Sequence, residues 1–182
     1  MEQNFVFRSC GLRQLGDILD MEHEAIVNLS RPDLLRRNSV EMWRSCLRPP
    51  HLCQGAWVGE DLTALAVLYV PQEGGEEDLS ALLHHHVALP SANYKICIVR
   101  PEWRGHHLQV LLGRCLEVEA RRRGIRVLCS TASPHNEASI RSLLQLGYEY
   151  DRTLSKYGFE RNLYFKVLDK GSEFGFIIKL RR

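Results

Sequence analysis

The sequence predicts one mixed α/β domain, a central β-sheet flanked by helices. Three observations lead there. The 182 residues suit one compact core. The first half carries a hairpin pattern. The second half alternates strand, helix and strand, which implies a mixed sheet covered by helices. Residues 1–182 are therefore read as a single domain. Apolar residues at 45% and charged residues at 25% fit a globular chain and exclude disorder as the main state.

The elements follow in order. Asn4 to Ser9 alternate apolar and polar, a short strand with Phe5 and Phe7 on one face. From Leu12 to Asn28, residues Leu12, Leu15, Ile18, Leu19, Ala25 and Ile26 recur at helical spacing. Arg31-Pro32 breaks that run. Asn38 or Ser39 opens a second short helix through Leu47, which Pro49-Pro50 ends. Gly55 to Val58 and Leu62 to Val70 form a hairpin about the turn Gly59-Glu60-Asp61. After a Gly- and Glu-rich loop, Leu79 to His86 reads as a helix. Tyr94 to Val99 is a nearly continuous apolar strand, as in the middle of a sheet.

Leu108, Leu111, Leu112, Cys115 and Leu116 mark one face of an amphipathic helix that runs to Arg123 and stops at Gly124. Arg121, Arg122 and Arg123 sit in its last turn, where the helix dipole favours cations; a partner-binding patch is the other reading. Arg126 to Ser130 is a buried strand, and Asn136 to Leu146 a helix closed by Gly147. Tyr148 to Leu154, Glu160 to Leu168 and Phe174 to Leu180 read as closing strands. Phe174 to Ile178 is too apolar for an open edge, so it is expected to be buried on a sheet edge or in a homodimer.

Composition also excludes functions. A net charge of +2 is too small for nucleic acid as the main partner. No apolar run approaches the ~18 residues of a membrane span, and the start Met1-Glu2-Gln3-Asn4 lacks a signal-peptide pattern, so a soluble cytoplasmic protein is expected. The six cysteines form no CxxC pair and read as reduced thiols, mainly buried, with no metal site.

One segment carries chemistry: Ile98-Val99-Arg100-Pro101-Glu102-Trp103-Arg104-Gly105-His106-His107-Leu108-Gln109. A buried strand ends there and a helix begins. The first N–H groups of a helix lack internal partners, point the same way, and share the positive end of the dipole. Together they make a pyrophosphate cradle. Gly105 admits close backbone approach, while Arg100, Arg104, His106 and His107 add positive charge. A plain strand–turn–helix junction is the other reading.

The same segment resembles the GNAT superfamily of acetyl-CoA-dependent N-acetyltransferases. Its motif runs Val-x-Pro-Glu-aromatic-Arg-Gly-x-Gly-x-Gly/Ala, matched by Val99, Pro101, Glu102, Trp103, Arg104 and Gly105. His107 and Gln109 stand where small residues are usual. A second signature, Asn-x-x-Ala-x-x-x-Tyr-x-x-x-Gly-Phe/Tyr, is matched by Asn136, Gly147 and Tyr148, with Ser139 as the small residue and Leu143 in place of the tyrosine. The resemblance implies a sheet splayed between the Tyr94–Val99 and Arg126–Ser130 strands, with acetyl-CoA in the cleft. The pantetheine arm would pair with backbone of Ile98 and Val99. The pyrophosphate would rest on N–H groups of Arg104, Gly105, His106, His107, Leu108 and Gln109. Asn136 would bond the arm or nearby backbone, and Ser139 would pack beside it. His107 is expected to hold ordinary right-handed dihedrals there.

The reaction so implied transfers an acetyl group to a small amine or a protein amine by direct attack. The amine needs a base, because an alkyl ammonium holds its proton to a pH near ~10. The oxyanion needs a donor, such as an N–H near Val99. For the base, Glu22 and Glu24 lie near the end of the first helix, which lines the acceptor side in this family; solvated surface charges are the other reading. For the acid, Tyr148, Tyr150 or a water replaces the missing tyrosine. His84, His85 and His86 point in different directions on a helix, a poor metal site; they read as a surface helix end, with a contribution to the acceptor pocket as the other reading. A non-catalytic acyl-CoA-binding regulator is the alternative, motivated by Leu143 and a strand without a carboxylate. A nucleotide-binding Rossmann domain is a third reading, and the lack of a GxGxxG after the first strand of a βαβ unit speaks against it.

Overall fold

Seven strands build one sheet in a computed structural model of the chain, which describes residues 4–84 and 88–168. They are β1 (Val6–Cys10), β2 (Leu52–Val58), β3 (Asp61–Tyr69), β4 (Ser91–Val99), β5 (Val127–Ala132), β6 (Glu149–Lys156) and β7 (Phe159–Val167). The helices are α1 (Leu15–Val27), α2 (Val40–Cys46), α3 (Leu108–Arg122) and α4 (Glu137–Gln145). The strand order is β1-β2-β3-β4-β5-β7-β6, and only β4 and β5 run parallel.

The sheet separates two cores because successive strand residues face opposite sides. On β3, Ala64, Ala66 and Leu68 pack with Leu112 and Leu116 of α3. Leu65 and Val67 pack with Ile18 and Met21 of α1 and Trp43 of α2. The two-sided burial explains why this strand reads as a continuous apolar run. Side-chain capping sets the start of α2, where Ser39 Oγ accepts from Met42 N at 3.1 Å. Glu119 holds Arg122 and Arg123 at the end of α3. The arginine run is therefore the charged last turn of a helix. Five cysteine thiols are buried, Cys97 is partly so, and all six are free.

Two expectations change. Leu79 to His86 is not a helix: the described part holds one 3-10 turn, Ser80–Leu82, and Leu83 is already extended. Asp78 Oδ1 accepts from Ser80 N, Ser80 Oγ and Ala81 N, which caps a single turn. Beyond it His84 N donates to Asp151 at 3.1 Å and draws the chain toward β6. His85, His86 and the strand expected over Phe174 to Leu180 lie outside the described residues. Among those residues no helix is long and apolar enough to cross a membrane.

The splay is present. β4 and β5 pair only through Ser91–Val127, Ala92–Leu128 and Asn93–Cys129. Past that point β4 continues to Val99 with β3 alone, and the register slips between Ala66 and Val67. Ile96 is the extra residue of this bulge, with φ at +45°. A β-branched residue there is strained. The bulge bends β4 away from β5 and re-aims its backbone.

Candidate active site

The diverging strands open a cleft of about 660 Å³. Its walls are β4 from Asn93 to Val99, Ser130 to Ala132 of β5, the start of α3, one face of α4, and the segment between α1 and α2. Ile98, Val99, Arg104, Gly105, His107, Leu108, Gln109, Asn136 and Ser139 all line it, so the structure brings nearly the whole expected cofactor set together. His106 is the exception. Its ring packs edge-on to Phe5, with Nδ1 at 3.2 Å from the carbonyl oxygens of Trp103 and Arg104.

The α3 entrance is an array of unspent donors. Among the described residues, the N–H groups of Gly105, His106, His107, Leu108 and Gln109 have no acceptor. Gly105 has φ at +84°, and the space where a Cβ would stand is empty. His107 caps α3 at φ +55°, in the left-handed region. The right-handed expectation is thus corrected. The turn from the Arg104 loop into α3 reverses the backbone there, which is why glycine suits the position and why histidine bears strain.

Behind the entrance, Tyr94 Oη donates to Gln109 O at 2.8 Å, and Gln109 Nε2 donates to Ser139 Oγ at 3.2 Å. Asn136 uses its amide internally: Oδ1 accepts from Ser139 N at 3.1 Å, and Nδ2 donates to Leu34 O at 3.2 Å. It thus bonds nearby backbone, capping α4 and tying the α1–α2 segment to the cleft.

The candidate acids and bases fall elsewhere. Glu22 is 4% exposed. Oε1 accepts from Asn38 N and Nδ2 at 3.0 and 2.8 Å, and Oε2 from Trp43 Nε1 at 3.0 Å. It is neither a solvated charge nor an available base, but a buried clasp between α1 and α2. Glu24 pairs with Arg100 Nη1 at 2.7 Å, anchoring the end of β4. Tyr148 is buried in the α3-side core, and burial, with the nearby Glu117 charge, raises its hydroxyl well above the usual tyrosine value. Tyr150 is exposed and bonded to Thr153. Neither tyrosine lines the cleft. Leu143 is fully buried, so the position of the family tyrosine does not face the cleft either.

A cluster that periodicity does not reveal occupies the α1–α2 face. Glu77 Oε1 accepts from Arg36 Nη1 at 2.9 Å; Oε2 accepts from Lys95 Nζ and from Tyr157 Oη, the latter at 2.8 Å. Burial pushes the Glu77 carboxyl up, but Lys95, Tyr157 and Arg36 outweigh it and hold it at about 2. Burial pulls Lys95 below its ordinary value against the attraction of Glu77. Tyr157 is raised by burial and by Glu77. Arg36, Lys95, Arg104, Arg141 and Arg161 all line the cleft, and among the described residues no Asp or Glu does. The one sequence signal was Lys95, a charge within a strand otherwise read as buried.

No family model matches the sequence, and no curated protein matches it. Solved structures do. The class they define is that of the GNAT acetyltransferase fold. The protein yncA from Salmonella typhimurium, whose assignment is acetyltransferase and which was solved with its cofactor acetyl-CoA, superposes with a TM-score of 0.69 at 17% identity, over 92% of this chain and 96% of its own. The ribosomal-protein-alanine N-acetyltransferase of Brucella melitensis gives 0.69 at 21% identity, over 90% and 99%. An acetyltransferase of the GNAT family from Streptococcus pneumoniae gives 0.67 at 11% identity, over 91% and 100%. At these identities the likeness is one of fold, and the chain has the GNAT fold.

Proposed function

We propose that the chain is an N-acetyltransferase that moves an acetyl group from acetyl-CoA to a primary amine by direct attack in a ternary complex. The observation that carries this is the row of unspent N–H donors from Gly105 to Gln109 opening into a cleft between two diverging parallel strands. Helix-start donors suit a pyrophosphate. The edge of β4 past Asn93, without a strand partner on that side, suits the amide groups of a pantetheine arm. Ile98 and Val99 would pair with the arm, and Ser139 and Asn136 would flank it. That yncA, which shares this fold, was solved with acetyl-CoA supports acetyl-CoA as the cosubstrate.

In the reaction the neutral amine nitrogen attacks the thioester carbonyl, the N–C bond forms, and the C–S bond breaks. The nitrogen loses its proton and the leaving thiolate gains one. Among the described residues no carboxylate lines the cleft, and in this reading the amine sheds its proton to solvent. Tyr94 and Tyr157 are the lining tyrosines, and each spends its hydroxyl proton internally, on Gln109 O and Glu77. The thiolate therefore leaves without a tyrosine acid. A thiol value near ~8.5 allows that, and the lining cations favour the negative charge.

Gly105→Asp tests the cradle. A carboxylate there competes with the pyrophosphate for the N–H groups, and two unit charges ~4 Å apart repel by ~4 kcal/mol at an effective dielectric of 20. CoA affinity should fall about a hundredfold or more, since ~1.4 kcal/mol is tenfold. Pantetheine, which lacks the phosphates, should bind as before. Because φ is +84°, the variant should also lose about 1 kcal/mol of stability. Calorimetry with both ligands and a melting curve decide; unchanged CoA affinity in the folded variant overturns the cradle. Acetyl-CoA binding without thiol release across an amine panel would mark a non-catalytic acyl-CoA binder instead.

A further inference from the structure

Resting on that reading of the cleft, the geometry points to an acceptor amine that carries an oxyanion, a carboxylate or a phosphate, bound by the guanidinium of Arg161. Arg161 stands on β7, is 4% exposed, and lines the cleft. Its Nε and Nη2 are buried and have no hydrogen-bond partner among the described residues. A guanidinium withdrawn from water without an acceptor is costly. A planar fork of donors is also the group that best matches a carboxylate or phosphate. The nearby Asp33 does not satisfy it: Asp33 Oδ1 accepts from Arg31 and Oδ2 from Ser133. Glu77 is likewise spent on Arg36, Lys95 and Tyr157.

The position separates this cation from the phosphate cradle. Leu163 and Phe165, which alternate with Arg161 on one face of β7, pack with Leu79, Val127 and Cys129. Tyr164, on the other face, packs in the core beneath α3. Arg161 therefore faces the side opposite the α3 entrance, and the splay connects the two. A cofactor whose pyrophosphate rests on α3 leaves Arg161 for the second substrate.

A second orphan lies in the same cleft. Asn38 Oδ1 is buried with no partner among the described residues. Its orientation is set, because Nδ2 donates to Glu22 Oε1 at 2.8 Å and to Arg36 O at 3.2 Å, and a flipped amide would face two acceptors. The acceptor end thus presents a donor fork that lacks an anion and a carbonyl that lacks an N–H donor. An amine bearing an oxyanion supplies both.

The test uses the full chain loaded with CoA and acceptors matched except for charge: an amino acid, its neutral amide, and an amino-alcohol phosphate. Binding is followed by calorimetry, and transfer by thiol release from acetyl-CoA. At least one anionic acceptor should bind about tenfold or more tighter than the amide, and that preference should vanish in Arg161→Gln while the CoA Kd stays unchanged. Arg161→Lys, which keeps the charge and loses the fork, should retain part of it. The stronger of the two anions identifies the oxyanion. A wild-type chain that binds CoA yet prefers the amide, or binds all three alike, overturns the proposal and leaves the transferase reading standing. So does an anion preference that survives Arg161→Gln. Failure to bind CoA at all overturns both.

Discussion

The Glu22 carboxylate accepts three hydrogen bonds from Asn38 and Trp43 while almost wholly buried, and its role is to hold α2 and the segment before it onto α1. Its place near the end of the first helix, which the family resemblance sets on the acceptor side, made it a candidate base; its bonding makes it structural. Glu22→Gln leaves the shape but sets an amide N–H₂ against a donor from Asn38 or Trp43. The loss should be about 1–3 kcal/mol, the cost of an unsatisfied buried donor. Urea denaturation reads it directly. Turnover well below the melting temperature should stay near wild type, and a collapse of kcat in a variant of unchanged stability would return Glu22 to catalysis.

At the scale of the element, α3 begins on a strained residue. His107 holds φ +55° as the helix N-cap, and its side chain makes no capping bond. A left-handed non-glycine residue costs about 1–2 kcal/mol, partly offset in comparison with glycine by the greater freedom glycine has in the unfolded chain. His107→Gly should therefore stabilise the chain by about 0.5–1 kcal/mol, a rise of roughly 2 °C in Tm for a domain of this size. CoA affinity should hold, because the cradle donors are backbone groups. A lower Tm would show that the ring contributes packing worth more than the strain. The second such element is β4, where Ile96 at φ +45° marks the bulge that parts it from β5. Among the described residues the non-glycine positions at positive φ are Ile96, His107 and Tyr157, and all three line the cleft.

At the scale of the molecule, Glu77 ties three distant segments together: Arg36 before α2, Lys95 on β4 and Tyr157 in the β6–β7 turn. Its carboxyl is held at about 2 against an ordinary 4.5. A depressed carboxylate stabilises the fold fully above the unfolded value, and that contribution fades as the pH falls toward the folded one. Stability should drop between about pH 4.5 and 2 as Glu77 protonates and leaves Arg36 and Lys95 without their counter-charge. Glu77→Gln should be less stable at neutral pH and flatter across that window. Equilibrium unfolding at a series of pH values checks it, and parallel curves for the two proteins would remove Glu77 from the acid response.

Strands and helices were legible in the sequence because each has a period that burial imposes on it. β3 reads as a continuous apolar run because both cores claim it, and α3 reads as amphipathic because only one does. The row of free helix-start donors was legible too, since Gly105 to Gln109 are contiguous and such donors come from local backbone; Arg104, expected among them, instead donates its N–H to Pro101 O at 3.2 Å. The Leu79–His86 run misled, because Asp78 caps one turn and Asp151, far along the chain, takes the next N–H. The α1–α2 end of the cleft was decided only by tertiary structure. Arg36, Asn38, Glu77, Lys95, Tyr157 and Arg161 come from separate segments and meet through the sheet order and the splay, which no local period encodes. Whether a charged residue is a solvated surface group, a clasp like Glu22 or, like Arg161, a guanidinium whose Nε and Nη2 find no acceptor among the described residues depends on which partners the fold brings within about 3 Å, a distance that sequence spacing does not contain.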